Sequence, residues 1–288
     1  MQHAKHPYVI KISCPATSGI VAAVTSFLAD HGCYISEMAQ FDDEVSGAFF
    51  MRAVFRFNSG FEGDIQQIQD GFVDVAERFE MAWELYDATE PMRVLLMVSK
   101  YDHCLADLLY RHQKGELQMK ITAIVSNHLD LRPMAEREGI RFIYLPVTKD
   151  TKAQQEAELL KIVDETKTEL VVLARYMQIL SDDLCRKLAG RAINIHHSFL
   201  PSFKGAKPYY QAHDRGVKLI GATAHYVTAD LDEGPIIEQD VARVDHSKTV
   251  EDLTAQGRDT ESQVLARAVK WHSEHRVLIN GHKTVILK

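Results

Sequence analysis

Beyond Pro91 the chain alternates short apolar runs with stretches of helical spacing, and this pattern leaves few folds open. Met92 to Val98 is apolar throughout, and Asp102 to His112 carries helical spacing. Lys120 to Val125 reads as a strand, Leu131 to Glu138 as a helix closed by Gly139, and Arg141 to Pro146 as a strand. Ala153 to Thr166 is a helix, Leu170 to Leu173 a strand, Asp182 to Leu188 a helix and Ala192 to Ile195 a strand. Strands without alternation suit a parallel sheet covered on both faces. The expected fold is α/β, a Rossmann-like domain with a mostly parallel sheet and its site at the carboxyl ends of the strands. Asn194 and His196 fall at such an end.

The first part of the chain has another rhythm. Tyr8 to Cys14 alternates and is rich in β-branched residues, and Pro15 to Gly19 breaks it. Ile20 to Asp30 has Val21, Val24, Phe27 and Leu28 at helical spacing, with Gly32 as a stop. Cys33 to Phe41 and Gly47 to Phe57 read as strands joined by Asp42-Asp43-Glu44. Phe61 to Phe79 reads as a helix and Met81 to Leu85 as a strand. The order βαββαβ is ferredoxin-like. A length of 288 residues suits two domains. The expected boundaries are a domain over 1–86, a linker over 87–91 and a second domain over 92–288. The strand pair Arg276 to Ile279 and Thr284 to Leu287 is expected to be structural.

Net charge is −7, which argues against a nucleic-acid footprint. The four cysteines, Cys14, Cys33, Cys104 and Cys185, form no CxxC pair and read as reduced, buried thiols. Met1 to His6 lacks an apolar signal core, and no apolar run approaches the ~20 residues of a membrane span. The expected setting is cytoplasmic. The histidines form no HExxH spacing and pair with no cysteine, so no metal is expected.

The segment Asn194-Ile195-His196-His197-Ser198-Phe199-Leu200-Pro201, with Asp232 in Asp230-Leu231-Asp232-Glu233-Gly234-Pro235, carries the chemistry. Asn194 and His196 are two apart and share a face on an extended strand. An amide can hydrogen-bond a carbonyl oxygen gaining charge. A histidine can move a proton near neutral pH, and a carboxylate can fix its tautomer. This set suits reaction at an acyl carbon. Taken singly, Asn-x-His reads as turn chemistry and Asp232 as an Asx-turn residue before Gly-Pro.

Asn194-Ile195-His196, Ser198, Leu200-Pro201, His225-Tyr226-Val227 and Leu231-Asp232-Glu233-Gly234-Pro235 together resemble the signature of the 10-formyltetrahydrofolate-using enzymes. The resemblance covers residues 92–288 and implies a formyltransferase-type catalytic domain. It implies Asn194, His196 and Asp232 as catalytic residues, with His197 and Ser198 as possible secondary ones. His197 reads rather as a hydrogen-bonded strand-end histidine with no chemical role, because His196 already has the role of proton carrier. Tyr176-Met177-Gln178-Ile179-Leu180 resembles the family's pterin-side loop, and Val227 and Leu231 complete the implied substrate site. Met177 reads also as core packing. Arg175 and Gln178 differ from the residues expected in the nucleotide-using enzyme.

Within this group the chain looks like the deformylases rather than the transferases. The nucleotide-using transferase has a glycine-rich loop after the first catalytic strand that cradles a phosphate. Here it reads Ser99-Lys100-Tyr101-Asp102-His103-Cys104-Leu105, without glycine, and Asp102 would repel a phosphate. His196-His197-Ser198 also resembles the deformylase version, where the transferases commonly have proline after the histidine. The resemblance implies hydrolysis of 10-formyltetrahydrofolate to formate and tetrahydrofolate, supplying formate for purine synthesis and balancing one-carbon pools. The folate is then the substrate, with no tightly bound cofactor. The alternatives are formyl transfer to an amine acceptor and a non-catalytic folate or amino-acid sensor.

Ile12-Ser13-Cys14-Pro15, Ser18 to Val24 and Phe27 to Ile35 resemble an ACT domain, a small regulatory module that often binds amino acids. The implied effector site is Ala16, Thr17, Ser18, Gly19 and Ile20, beside Cys33 to Ser36. Glycine or methionine would make metabolic sense as the effector. ACT modules commonly have an acidic residue where Ala16 stands, so the module reads also as an assembly surface only. ACT modules usually pair, which implies a homo-oligomer.

Overall fold

The computed structural model of the protein describes residues 6–59, 63–200 and 208–288. The chain divides into two compact units. One comprises Met1–Pro91 with Glu274–Asn280 and Thr284–Lys288, and the other Met92–Ser273 with Gly281–Lys283.

The first unit contains β1 (Tyr8–Pro15), α1 (Ile20–Asp30), β2 (Cys33–Asp43), β3 (Ala48–Phe57), α2 (Ile65–Arg78) and β4 (Ala82–Asp87). The sheet order is β2-β3-β1-β4, all antiparallel, which is the expected ferredoxin-like βαββαβ arrangement. Ile20, Val24 and Leu28 bury one face of α1, and Ile68, Phe72 and Ala76 one face of α2. They close over Ile10, Ile12, Met51 and Phe55 of the sheet. The second helix starts later than its apolar spacing predicted, because Asp64 caps it by accepting from the Gln66 amide at 2.9 Å. Phe61, the expected start, lies outside the described residues.

The second unit continues with β5 (Met92–Val98), α3 (His103–Gln113), β6 (Met119–Ser126), α4 (Arg132–Arg137), β7 (Phe142–Tyr144), α5 (Lys152–Glu165) and β8 (Leu170–Leu173). It proceeds through α6 (Asp182–Lys187), β9 (Ala192–His196), α7 (Pro208–Asp214), β10 (Leu219–Tyr226), β11 (Ile236–Arg243) and α8 (Val250–Ser273). Its seven-stranded sheet has the order β11-β10-β9-β8-β5-β6-β7. The five strands from β9 to β7 are parallel, and β10 and β11 add an antiparallel edge. The parallel strands thus run outward in both directions from β5, so the strand order reverses between β5 and β8. Such a switch point opens a crevice at the carboxyl ends of the strands. All four residues of β8 are buried, as its unbroken apolar run requires. The hairpin β10–β11 and the helices α7 and α8 were not anticipated.

The last strands, β12 (Val277–Asn280) and β13 (Lys283–Ile286), group with the first unit, apart from residues 281–283. The physical reason lies in β3, which is buried along most of its length. Phe49, Met51, Ala53 and Phe55 face the helices, whereas Phe50 packs with Leu278 and Leu287 on the other face. Arg52, nearly fully buried, donates to the Glu274 carbonyl at 3.0 Å and to Glu37 at 2.6 Å, and Glu37 also takes Arg276 at 2.9 Å. A carboxyl-terminal segment therefore covers the face that a bare βαββαβ sheet would leave open. Among the described residues no helix is long and apolar enough to cross a membrane.

Candidate active site

Asn194 and His196 emerge on one face of β9, while Ile193 and Ile195 turn into the core. The neighbouring antiparallel strand sets His225 opposite Asn194 and Thr223 opposite His196. A register shift between Ala224 and His225 interrupts β10 beside β11. Such bulges re-aim side chains. His225 is buried; its Nδ1 donates to the Tyr226 carbonyl at 2.9 Å, and its Nε2 accepts from Asn194 Nδ2 at 3.2 Å. One N–H of the Asn194 amide is thereby fixed and the second is left to point elsewhere. In the sequence His225 stands only within the His225-Tyr226-Val227 motif, and the pairing of β9 with β10 gives it this place.

Asp232 reaches the same point from the turn after β10. Its Oδ2 lies 3.2 Å from His196 Nδ1, and its Oδ1 lies 3.6 Å from His225 Nε2. Burial alone would raise the Asp232 carboxyl. Hydrogen bonding from His196 and the two imidazoles beside it hold it well below the ordinary carboxylate range. With Nδ1 committed to Asp232, the buried Nε2 of His196 has no hydrogen-bond partner among the described residues. A neutral His196 so held presents a lone pair at Nε2, which is what a general base requires. Asp232 has φ 59°, a left-handed backbone that a non-glycine residue adopts at a cost of about 1–2 kcal/mol.

The other expected residues separate into two groups. Tyr176 and Leu180 are core residues. The Tyr176 hydroxyl accepts from Gln155 at 3.0 Å, and burial pushes its phenol up to about 12. Met177, Gln178 and Ile179 are exposed between them, as are Leu231 and Phe199. Ser99, at the end of β5, donates to Asn127 and accepts from the Met177 amide at 3.0 Å, which pins this loop at the switch point. Val227 packs against the core at the end of β10. Ser198 is buried with no partner for its Oγ among the described residues, Leu200 is tied through its amide to Thr223, and Pro201 lies outside the described residues. In the first unit Ala16 to Gly19 are exposed, but the Ile20 side chain belongs to the core.

A second buried polar cluster adjoins the histidines. His197 stacks on His196, with ring centroids 4.8 Å apart and planes at 17°. Arg175 donates to His197 Nδ1 at 2.9 Å and pairs with Glu261 at 3.3 Å. Glu261, on α8, also takes His103 at 2.9 Å and the Tyr209 hydroxyl at 2.7 Å. His103, Cys104 and Glu261 bring ligand atoms within 4.8 Å of one another. The carboxylate is already met by three donors, one of them a permanent cation. Burial, then the Glu261 charge, drives the Cys104 thiol far above its ordinary range. Arg175, His103 and Tyr209 thus join Glu261 in a buried polar network.

A doubly wound sheet carries an amide, an imidazole and a carboxylate at the carboxyl end of β9, one strand beyond the switch point, and residues 92–269 match the formyl transferase family model. A formyltetrahydrofolate deformylase of Corynebacterium sp. strain P-1 is 50% identical over 281 residues, covering 98% of both chains. A crystal structure of formyltetrahydrofolate deformylase from Burkholderia mallei has 55% identity and a TM-score of 0.94, covering 98% of this chain and all of that one. A glycinamide ribonucleotide transformylase from Symbiobacterium toebii is 28% identical with a TM-score of 0.65, and the match covers 69% of this chain and 95% of that one. The chain belongs to the formyltetrahydrofolate deformylases.

Proposed function

We propose that this chain hydrolyses 10-formyltetrahydrofolate to formate and tetrahydrofolate in the cytoplasm. The observation that carries this reading is His196, whose Nδ1 faces the Asp232 carboxylate and whose Nε2 has no partner among the described residues. In the proposed reaction, water attacks the formyl carbon and gives a proton to His196 Nε2. Asn194 and the resulting imidazolium stabilise the oxyanion, each such donor being worth about 3–4 kcal/mol. The C–N bond then breaks, the leaving nitrogen takes the proton, and formate and tetrahydrofolate depart. The exposed Met177, Gln178, Ile179 and Leu231 suit contact with the folate ring, and Val227 packs against the core that holds Tyr176 and Leu180. Tyr176 and Leu180 act from the core by shaping the loop. His197 and Ser198 are secondary.

The test is incubation with 10-formyltetrahydrofolate alone. Release of equal amounts of formate and tetrahydrofolate supports hydrolysis. Turnover only after an amine is added would assign a transferase, and binding without turnover a sensor.

The first unit is read as an ACT module. Its uncapped turn Ala16–Gly19, where Gly19 has φ 92°, leaves the first amides of α1 open to a small ligand such as glycine or methionine. Its edge strand β2 exposes Tyr34, Met38 and Phe41, a surface suited to pairing with a second copy. Light scattering of the native chain and of Met38→Lys tests the pairing, with a loss of mass in the variant as the expected result.

A further inference from the structure

The polar cluster behind the histidine pair has a directional logic that the proposed reaction does not use. Arginine offers only donors and remains charged. Its contact with His197 Nδ1 therefore makes that nitrogen the acceptor, and the ring proton must sit on Nε2. Arg175 is in turn held by Glu261, which is almost wholly inaccessible to solvent and is braced by Tyr209 and His103. Arg175 keeps a left-handed backbone, φ 65°, in this arrangement. Conformations of this kind persist where surrounding structure over-determines them, often at functional sites.

We infer that Glu261 and Arg175 act as a positioning pair that fixes His197 as an uncharged imidazole protonated on Nε2, so that His196 is the one ring of the stacked pair that changes charge during turnover. This rests on the reading of His196 as the proton carrier. A proton on His197 would lie against a ring that must itself become cationic, and it would oppose that step. The charged and titratable groups that face His197 are Arg175 from the end of β8, His196 from β9, Glu261 from α8 and Asp232 from the turn after β10. Burial first, then Arg175 and His196, lower the His197 imidazole to about 4, against the opposing pull of Glu261 and Asp232.

The decisive measurement is long-range proton–nitrogen NMR on the full chain labelled in its 14 histidines, with His197 assigned through His197→Gln. The native enzyme should show His197 in the Nε2–H form from pH 5 to 8. In Arg175→Gln the His197 midpoint should rise by one pH unit or more. The acid limb of kcat/KM should then gain a second ionisation that His197→Gln removes in the same background. Arg175→Lys, which keeps the cation, should restore most of the native profile. A His197 that titrates between pH 5 and 8 in the native enzyme overturns the inference, as does an unchanged acid limb in folded Arg175→Gln. The native spectrum decides the tautomer if Arg175→Gln does not fold. Full activity in His196→Ala would instead remove the proton-carrier reading and leave the His197 tautomer measurable.

Discussion

A Cβ placed on Gly234 would fall 1.8 Å from the backbone oxygen of Tyr226. That contact sets how closely the turn carrying Asp232 lies against β10, and the Tyr226 amide donates to the Pro235 carbonyl at 2.9 Å across the same gap. Backbone cannot yield as a side-chain tip can, so Gly234→Ala must move the turn. We expect a loss of about 1–3 kcal/mol in stability. Withdrawal of Asp232 from His196 should also lower kcat by roughly tenfold or more, and displacement of Leu231 on the same turn should raise KM. Denaturant unfolding and steady-state kinetics of the one variant check both effects, and native kcat would show that the turn does not position Asp232.

His196→Ala, Asp232→Ala and Asn194→Ala should each lower kcat by about 10²-fold or more with the fold intact, the scale of losing acid–base or oxyanion help. His197→Ala should cost less than His196→Ala. Circular dichroism guards against misfolding. A larger loss at His197 than at His196 would reassign the proton carrier.

The sequence makes some of this visible and hides the rest for physical reasons. The solid apolar runs of β5 and β8 announce buried parallel strands, and the two-residue spacing of Asn194 and His196 places both on one face. Glycine before Pro235 marks the tight turn, although its contact with Tyr226 is visible only in three dimensions. The strand β11, Ile-Ile-Glu-Gln-Asp-Val-Ala-Arg, has neither alternation nor an apolar run and is held by its pairing with β10. The face of α8 buries Thr260 and Glu261, so its apolar spacing is broken where it contributes to the polar cluster. No local pattern foretells that Glu261 meets Arg175. The carboxyl-terminal segment did leave a trace, because Phe49-Phe50-Met51 puts apolar residues on both faces of β3, which a sheet with one open face does not need. In the loop after β8, apolar character alone could not tell Tyr176 and Leu180, which face the core, from Met177 and Ile179, which do not.

Stability should fall as pH drops below neutrality. His197 in one unit and His275 in the other are each lowered to about 4, chiefly by burial and then by nearby cations. An unfolded histidine titrates near 6.5, so between about pH 6.5 and 4 the unfolded chain binds more protons. Stability is therefore full above about pH 6.5, declines through that window and levels off below it. Each histidine contributes at most about 3 kcal/mol to the decline. Asp232 acts later, because its lowered carboxyl keeps its contribution until the pH falls below the ordinary carboxylate range and passes through its folded value. Unfolding free energies from pH 7.5 to 4.5 should slope downward toward acid, with His197→Gln removing its share. A flat profile would contradict the burial of both neutral rings.

The first unit should depend on the end of the chain. Leu278 and Leu287 close over Phe50, and Arg276 shares Glu37 with the buried Arg52. Leu278→Ala removes packing at a site nearly closed to solvent and should cost about 2–4 kcal/mol. Arg276→Ala should cost less, since Arg52 still neutralises Glu37. The loss should appear as earlier unfolding and faster proteolysis within residues 6–91. It follows that deleting residues 1–86 would strip Leu278 and Leu287 of their partners, so a response to glycine or methionine is better sought in the full chain. Ser18→Trp, which crowds the turn ahead of α1 without entering the core, should abolish such a response and leave unliganded turnover unchanged. A response that survives Ser18→Trp would locate the effector elsewhere, and a native chain that answers to neither amino acid would leave the first unit an assembly surface.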